Sequence, residues 1–333
     1  MTSSLKSFEI VFDQPGGSPV YMPGMTLSGQ VIVDLSGPYD VRGVHVYVTG
    51  EAHVEFIARA GRYRAMYSDT EYLFARSVTV WGNPSGSTSS STMRQGRHVF
   101  NFSFEIPNDR PLLGSLSGEH GQIRYYVQAA IERPTLRFNN KVERDFIIPV
   151  LPYDLTSTPE AAIPKTVNRV EDVCCFGKIS AFVRLPKTGY VHGEVLTASI
   201  EVENHSMKTI DTMVMQLCQI VELTGIIDSP YVTKDNLAEY GEMSAIAPKQ
   251  VKTESITLAV VLKTDPIRSG RSQHWDASFE IPPLSAAPPT FESPMCKILE
   301  ISYRVNVLLL TSGCSRDITL GVPIIIGSVP GSK

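Results

Sequence analysis

Apolar and polar residues alternate one for one over much of this chain. In Phe100-Asn101-Phe102-Ser103-Phe104-Glu105-Ile106 the apolar residues take every second place, with Asn, Ser and Glu between them. Trp275-Asp276-Ala277-Ser278-Phe279-Glu280-Ile281 repeats the rhythm. Successive side chains of a strand point to opposite faces, so this is how a half-buried antiparallel strand reads. A slip of one residue would turn three aromatic rings to water, at roughly 1.5–3 kcal/mol each, so the register is strongly set. The same pattern predicts strands at Phe8–Phe12, Leu27–Leu35, Val41–Val48, Ile123–Ile131, Ile179–Leu185, Leu196–Val202, Met213–Val221, Val251–Leu262, Ile298–Leu309 and Ile318–Ile326. A proline closes each Phe-Glu-Ile, because proline cannot donate to an interior ladder. Short strands punctuated by turn residues predict an all-β protein built of sandwiches. Lys234–Ser244 is the one stretch with a weak helical pattern.

The pattern also occurs twice. Phe104-Glu105-Ile106-Pro107 returns as Phe279-Glu280-Ile281-Pro282, 175 residues later. Tyr21-Met22-Pro23-Gly24 returns as Tyr190-Val191-His192-Gly193, and Ile123-Arg124-Tyr125-Tyr126-Val127 as Ile301-Ser302-Tyr303-Arg304-Val305, at offsets of 169 and 178. Three echoes in one order mean duplicated architecture. A length of 333 residues also exceeds what one hydrophobic core usually supports. The expected layout is a domain over 1–151, a linker over 152–175 containing Pro159 and Pro164, and a domain over 176–330. Gly82–Gly96, poor in apolar residues, is expected to be a mobile hairpin tip.

Charge narrows the partners. A net charge of -4 offers no global attraction for nucleic acid or acidic lipid, so any such attraction must be local. No run of 18 apolar residues is present and the first residues do not read as a signal peptide. Five cysteines form an odd set, two of them adjacent at Cys174-Cys175. A reduced, cytoplasmic protein is expected.

The opening Lys6-Ser7-Phe8-Glu9-Ile10-Val11-Phe12, the turn before Leu27-Ser28-Gly29-Gln30-Val31, and Gly118-Glu119-His120-Gly121-Gln122-Ile123-Arg124-Tyr125 together resemble the α-arrestin (arrestin domain-containing) family. So do Gly189-Tyr190-Val191-His192-Gly193-Glu194, Ile200-Glu201-Val202-Glu203-Asn204 and the ending Val322-Pro323-Ile324-Ile325-Ile326-Gly327. The resemblance covers essentially the whole chain. It implies two tandem arrestin-like β-sandwiches of immunoglobulin-like type, without enzymatic activity or cofactor. It implies a trafficking adaptor at the plasma membrane and endosomes that docks on membrane receptors or transporters. In that family HECT-type ubiquitin ligases are recruited through Pro-Pro-x-Tyr motifs in a C-terminal tail. Here the Pro-Pro pairs lead on to Leu284-Ser285 and Thr290-Phe291, so ligase recruitment would rest on a tail beyond Lys333. One family member captures thioredoxin through a cysteine shortly before a Trp; the matching Ser269–Trp275 has no cysteine, so thioredoxin is not an expected partner. An arrestin-fold coat subunit of retromer type, bound stably to a scaffold protein, is the alternative.

Catalytic signatures are missing: there is no Gly-x-Ser-x-Gly, no phosphate-cradling glycine loop and no His-Glu-x-x-His. Cys174-Cys175 lacks a second ligand pair and reads as two small hydrophobes entering a strand, so no metal is expected. The best binding candidate is Arg59, Arg62 and Arg64 in a hairpin loop, with Tyr67 close by, facing an anionic membrane surface or an acidic cargo tail. Against this stands a β-edge guarded by charge. A second basic set, Arg133, Arg137, Lys141 and Arg144, straddles Asn139-Asn140 and reads first as a solvated hairpin.

Overall fold

A computed structural model describes residues 4–14, 19–60, 63–134, 139–150, 153–173, 177–227, 249–291, 295–311 and 317–329. Arg62, Arg137, Cys174-Cys175 and the Lys234–Ser244 stretch lie outside the described residues. The chain divides into two compact units. One is drawn from Met1–Leu151, Thr224–Gln250 and Met295–Ile298, the other from Pro152–Leu223, Val251–Pro294 and Leu299–Lys333.

The first unit contains β1 (Leu5–Phe12), β2 (Thr26–Leu35), β3 (Tyr39–Val41), β4 (Gly43–Ala60), β5 (Tyr63–Gly82), β6 (Ser91–Met93), β7 (Gly96–Glu105), β8 (Leu116–Ser117), β9 (Gly121–Glu132) and β10 (Asn140–Phe146). β1, β2 and β7 make one antiparallel layer in that order, and β10, β9, β4 and β5 line up in the other. Alternation delivers the aromatic rings between the layers. Phe12 meets Phe102 at 6.5 Å and Tyr21 at 6.3 Å; Tyr21 meets Phe146 at 5.7 Å; Phe146 and Phe74 each lie 5.9 Å from Tyr125. Each such ring carries roughly 1.5–3 kcal/mol of burial. Gly50, at a bulge in β4, sits under the Tyr125 and Phe74 rings, where a Cβ would collide with both.

The second unit contains β11 (Lys165–Asp172), β12 (Gly177–Leu185), β13 (Gly189–Val191), β14 (Val195–Ser206), most of β15 (Ile210–Ile227) and of β16 (Lys249–Lys263), β17 (Arg271–Glu280), β18 (Leu299–Thr311) and β19 (Ile318–Gly327). One sheet runs β11, β12, β14, β17; in the other β15 pairs with β16 and β18, and β18 leads through β19 to β13. Ile281 is as deeply buried as Ile106, so the two Phe-Glu-Ile-Pro segments serve the same purpose. Two single-turn 3-10 segments, Leu155–Ser157 and Pro159–Ala162, precede the sheets. Asp154 caps the first by accepting a hydrogen bond from the Thr156 N–H at 2.8 Å. Tyr153 and Asp154 lie beside Ser328 and Val329: Ser328 N donates to Tyr153 O at 2.9 Å.

Three expectations change. The 152–175 segment contains a strand, β11, whose eight residues pair with β12 from Lys165↔Leu185 to Asp172↔Lys178. Six of its eight residues are charged or polar and its two valines, Val167 and Val170, are three apart, so no alternation marks it as a strand. β4 runs to Ala60 and β5 starts at Tyr63, so Arg59 and Arg64 sit on paired strands, not in a loop. Gly82–Gly96 is anchored: Ser91–Met93 pairs with Tyr39–Val41, and Met93 is buried. A single methionine supplies that anchor, too little to register as periodicity.

Candidate functional site

The far end of the β4–β5 hairpin is a ladder of directly opposed pairs: Arg59 faces Arg64, Ile57 faces Met66, and Glu55 faces Ser68. Alternation sends these six to the same face, while Phe56 and Tyr67 point inward and stack at 5.8 Å. Arg59 and Arg64 are exposed and neither has a carboxylate partner among the described residues. Ile57 and Met66 are 57% and 40% exposed, large for apolar side chains directly across from each other. Tyr67 does not join the arginines: it is 0% exposed, and burial pushes its hydroxyl pKa up. Its odd-numbered place on β5, one step out of phase with Arg64 and Met66, turns it into the core. Tyr72 shares the arginines' face and lies opposite Glu51.

Two members of the second basic set, Arg133 and Arg144, are spent on structure. Arg133 lies with its guanidinium 3.8 Å from the Tyr39 ring centroid and donates to Asp40 O at 3.4 Å. Arg144 lies 5.0 Å over Phe12 and donates to Ile10 O at 3.0 Å. His45, buried, contacts Thr79 Oγ1 at 3.0 Å and Glu132 at 3.5 Å. Glu132 also accepts from Ser85 Oγ at 2.6 Å and Gly86 N at 3.4 Å, tying down the glycine-rich segment. Desolvation works against its charge, but Ser85, His45, Gly86 and Arg42 outweigh it and hold the carboxyl below its ordinary value.

One serine, histidine and aspartate do converge, on the exposed side of the second unit. Ser199 Oγ lies 3.5 Å and Asp276 Oδ1 3.3 Å from His274, but both approach the same ring nitrogen, Nε2. A proton relay needs the aspartate on one nitrogen and the hydroxyl on the other, so this arrangement cannot activate the serine. Among the described residues no three His, Cys, Asp or Glu side chains gather to hold a metal. The second unit also holds a cleft of about 540 Å³, bordered by Leu155, Ala161, Lys187, Tyr190, Glu194 and Thr197. Lys187 and Glu194 pair with each other there, and Tyr190 donates its hydroxyl to Lys187 O at 2.9 Å. Sequence periodicity held no sign of it, because the 3-10 segments that wall it lie in the proline-containing stretch. The Pro288-Pro289 pair is built into this unit: Pro288 O accepts from Tyr303, and Thr290 N donates to Ile326 O at 2.9 Å.

Two β-rich units with these matched strand echoes define a tandem arrestin-domain protein, and comparison with known proteins agrees. Residues 8–155 match the arrestin (or S-antigen) N-terminal domain and residues 176–331 the arrestin C-terminal domain. The chain belongs to the α-arrestin, or arrestin domain-containing, branch of the arrestin family. It is 26% identical over 340 residues to arrestin domain-containing protein 4 of Mus musculus, spanning 98% of this chain and 73% of that protein. It is 26% identical over 342 residues to arrestin domain-containing protein 17 of Caenorhabditis elegans, 98% and 71% of the two chains. Thioredoxin-interacting protein of Homo sapiens is 25% identical over 340 residues, 99% of this chain and 76% of that one. Arrestin-family proteins are in general non-enzymatic adaptors, and the likeness supports an adaptor role here.

Proposed function

We propose that the protein is a cytoplasmic trafficking adaptor, peripheral at the plasma membrane and endosomes. It binds membrane receptors or transporters and couples them to ubiquitination, endocytosis or endosomal sorting. The observation that carries this reading is the co-linear match of both arrestin domains, extending over 98% of the chain in arrestin domain-containing protein 4. A HECT-type ligase would be engaged through a Pro-Pro-x-Tyr segment that these 333 residues do not contain. Pro288-Pro289 is not such a ligand, since a WW groove needs a free polyproline segment and Pro288 is tied to Tyr303. Thioredoxin is not among the proposed partners: Ser269–Trp275 carries no cysteine, and Ser269 Oγ donates to Ser206 O at 2.6 Å within the fold.

Removing the protein from its cell tests the reading. The receptors or transporters that co-purify with it should persist longer at the surface and carry less ubiquitin. Unchanged surface lifetime, with one scaffold protein bound in stoichiometric amount, would overturn it in favour of a coat subunit.

A further inference from the structure

We propose that the outer face at the end of the β4–β5 hairpin, made by Ile57, Arg59, Arg64 and Met66, is a contact for an anionic lipid surface. The inference deepens the adaptor reading and rests on it for bringing a membrane within reach. Three observations lead there. First, Arg59 and Arg64 stand directly opposite each other on antiparallel strands. Like charges in that position oppose the pairing, so the ladder would gain from residues of opposite sign here. Neither guanidinium has a carboxylate partner among the described residues, and an external layer of anions would relieve the repulsion. Second, the next pair on the same face, Ile57 and Met66, leaves about half its surface to water. A stable fold gains nothing from that exposure, whereas an interfacial contact does. Third, the order of the rows suits a bilayer interface. Arginine stems can lie along apolar surface while their heads reach phosphates, and the isoleucine and methionine enter beside them. Glu55, one row further from the tip, marks where anionic lipid would be repelled.

An acidic peptide would satisfy the arginines and leave the Ile57–Met66 pair unused, which is why the lipid surface is favoured. The full chain should co-sediment with phosphatidylserine–phosphatidylcholine vesicles and not with phosphatidylcholine alone, and added salt should weaken binding. The R59A/R64A variant should bind about 25-fold more weakly, from about fivefold per arginine. R59K/R64K should retain binding, because charge near the headgroups is what counts. I57S/M66S should weaken it about fivefold while keeping the salt dependence. Thermal melts of each variant establish that it is folded. Wild-type affinity of R59A/R64A for the anionic vesicles would overturn the proposal. So would wild-type affinity of I57S/M66S together with displacement of the vesicles by polyglutamate, which would make the face a reader of acidic protein. Capture of a cargo tail in the absence of lipid tests the adaptor reading separately, so failure of one is distinguishable from failure of the other.

Discussion

Tyr125 and Tyr303 hold matching places in the two halves, and each gives its buried hydroxyl to a main-chain carbonyl at 2.5 Å, Leu113 O in one and Pro288 O in the other. Tyr21 and Tyr190 also match, and their rings are equally buried at 1% exposure. Their hydroxyls differ. That of Tyr190 donates to Lys187 O, whereas that of Tyr21 is buried with no hydrogen-bond partner among the described residues. Duplication has kept the apolar part of each position and let the polar end drift. The ring is needed wherever the core is the same; the hydroxyl keeps its role only where a carbonyl or a charge still waits for it.

Mutations can sharpen that contrast, and urea melts of the full chain would read them. The largest effects should be equal in the two halves: Ile106→Ala and Ile281→Ala remove side chains with almost no exposure, and each should cost about 2–5 kcal/mol. A cost of that size in one half and none in the other would break the equivalence. Tyr303→Phe comes next, at about 2 kcal/mol, since it strands both Pro288 O and the Gln219 amide that donates to the tyrosine at 2.9 Å. Tyr190→Phe should cost about 1 kcal/mol through Lys187 O. Tyr21→Phe should be neutral or stabilising by about 1 kcal/mol, because it removes a buried group that bonds nothing described. A clear loss at Tyr21 would mean that its hydroxyl has a role comparable to that of Tyr190.

The smallest expected effect concerns acid. Glu132 has its pKa held below the ordinary 4.5, so its contribution is fully present above that value and fades as pH falls through the lower, folded-state pKa. The hydrogen-exchange protection of Ser85 and Gly86, taken against the intrinsic rate at each pH, should therefore fall in acid, and Glu132→Gln should abolish most of that pH dependence. An unchanged profile in the variant would assign the acid sensitivity elsewhere.

Much of the architecture was legible because its strands alternate cleanly: Phe102, Phe104, Ala277 and Ile281 all lie where a period of two puts them, inside. β5 was not among the expected strands. Its outward places hold Arg64, Ser68 and Thr70, and a bulge beyond Tyr72 breaks the alternation, so a tightly paired strand looks like a polar loop. The candidate face was half legible for the same reason. Arginine spacing drew attention to Arg59 and Arg64, but nothing in a run of residues says which strand faces which. Only the register sets Ile57 against Met66 and sends Tyr67 to the other side.

The meeting of Tyr153 with Ser328, and of Asp154 with Val329, ties the beginning of the second unit to its end. The first and last described residues of that unit thus lie side by side. A short peptide joining these ends, with new termini opened in an exposed β-turn, would give a circularly permuted form of the same sheets. A fluorophore or affinity handle placed after Val329 would likewise emerge beside Asp154, clear of the strands that alternate across the rest of the unit.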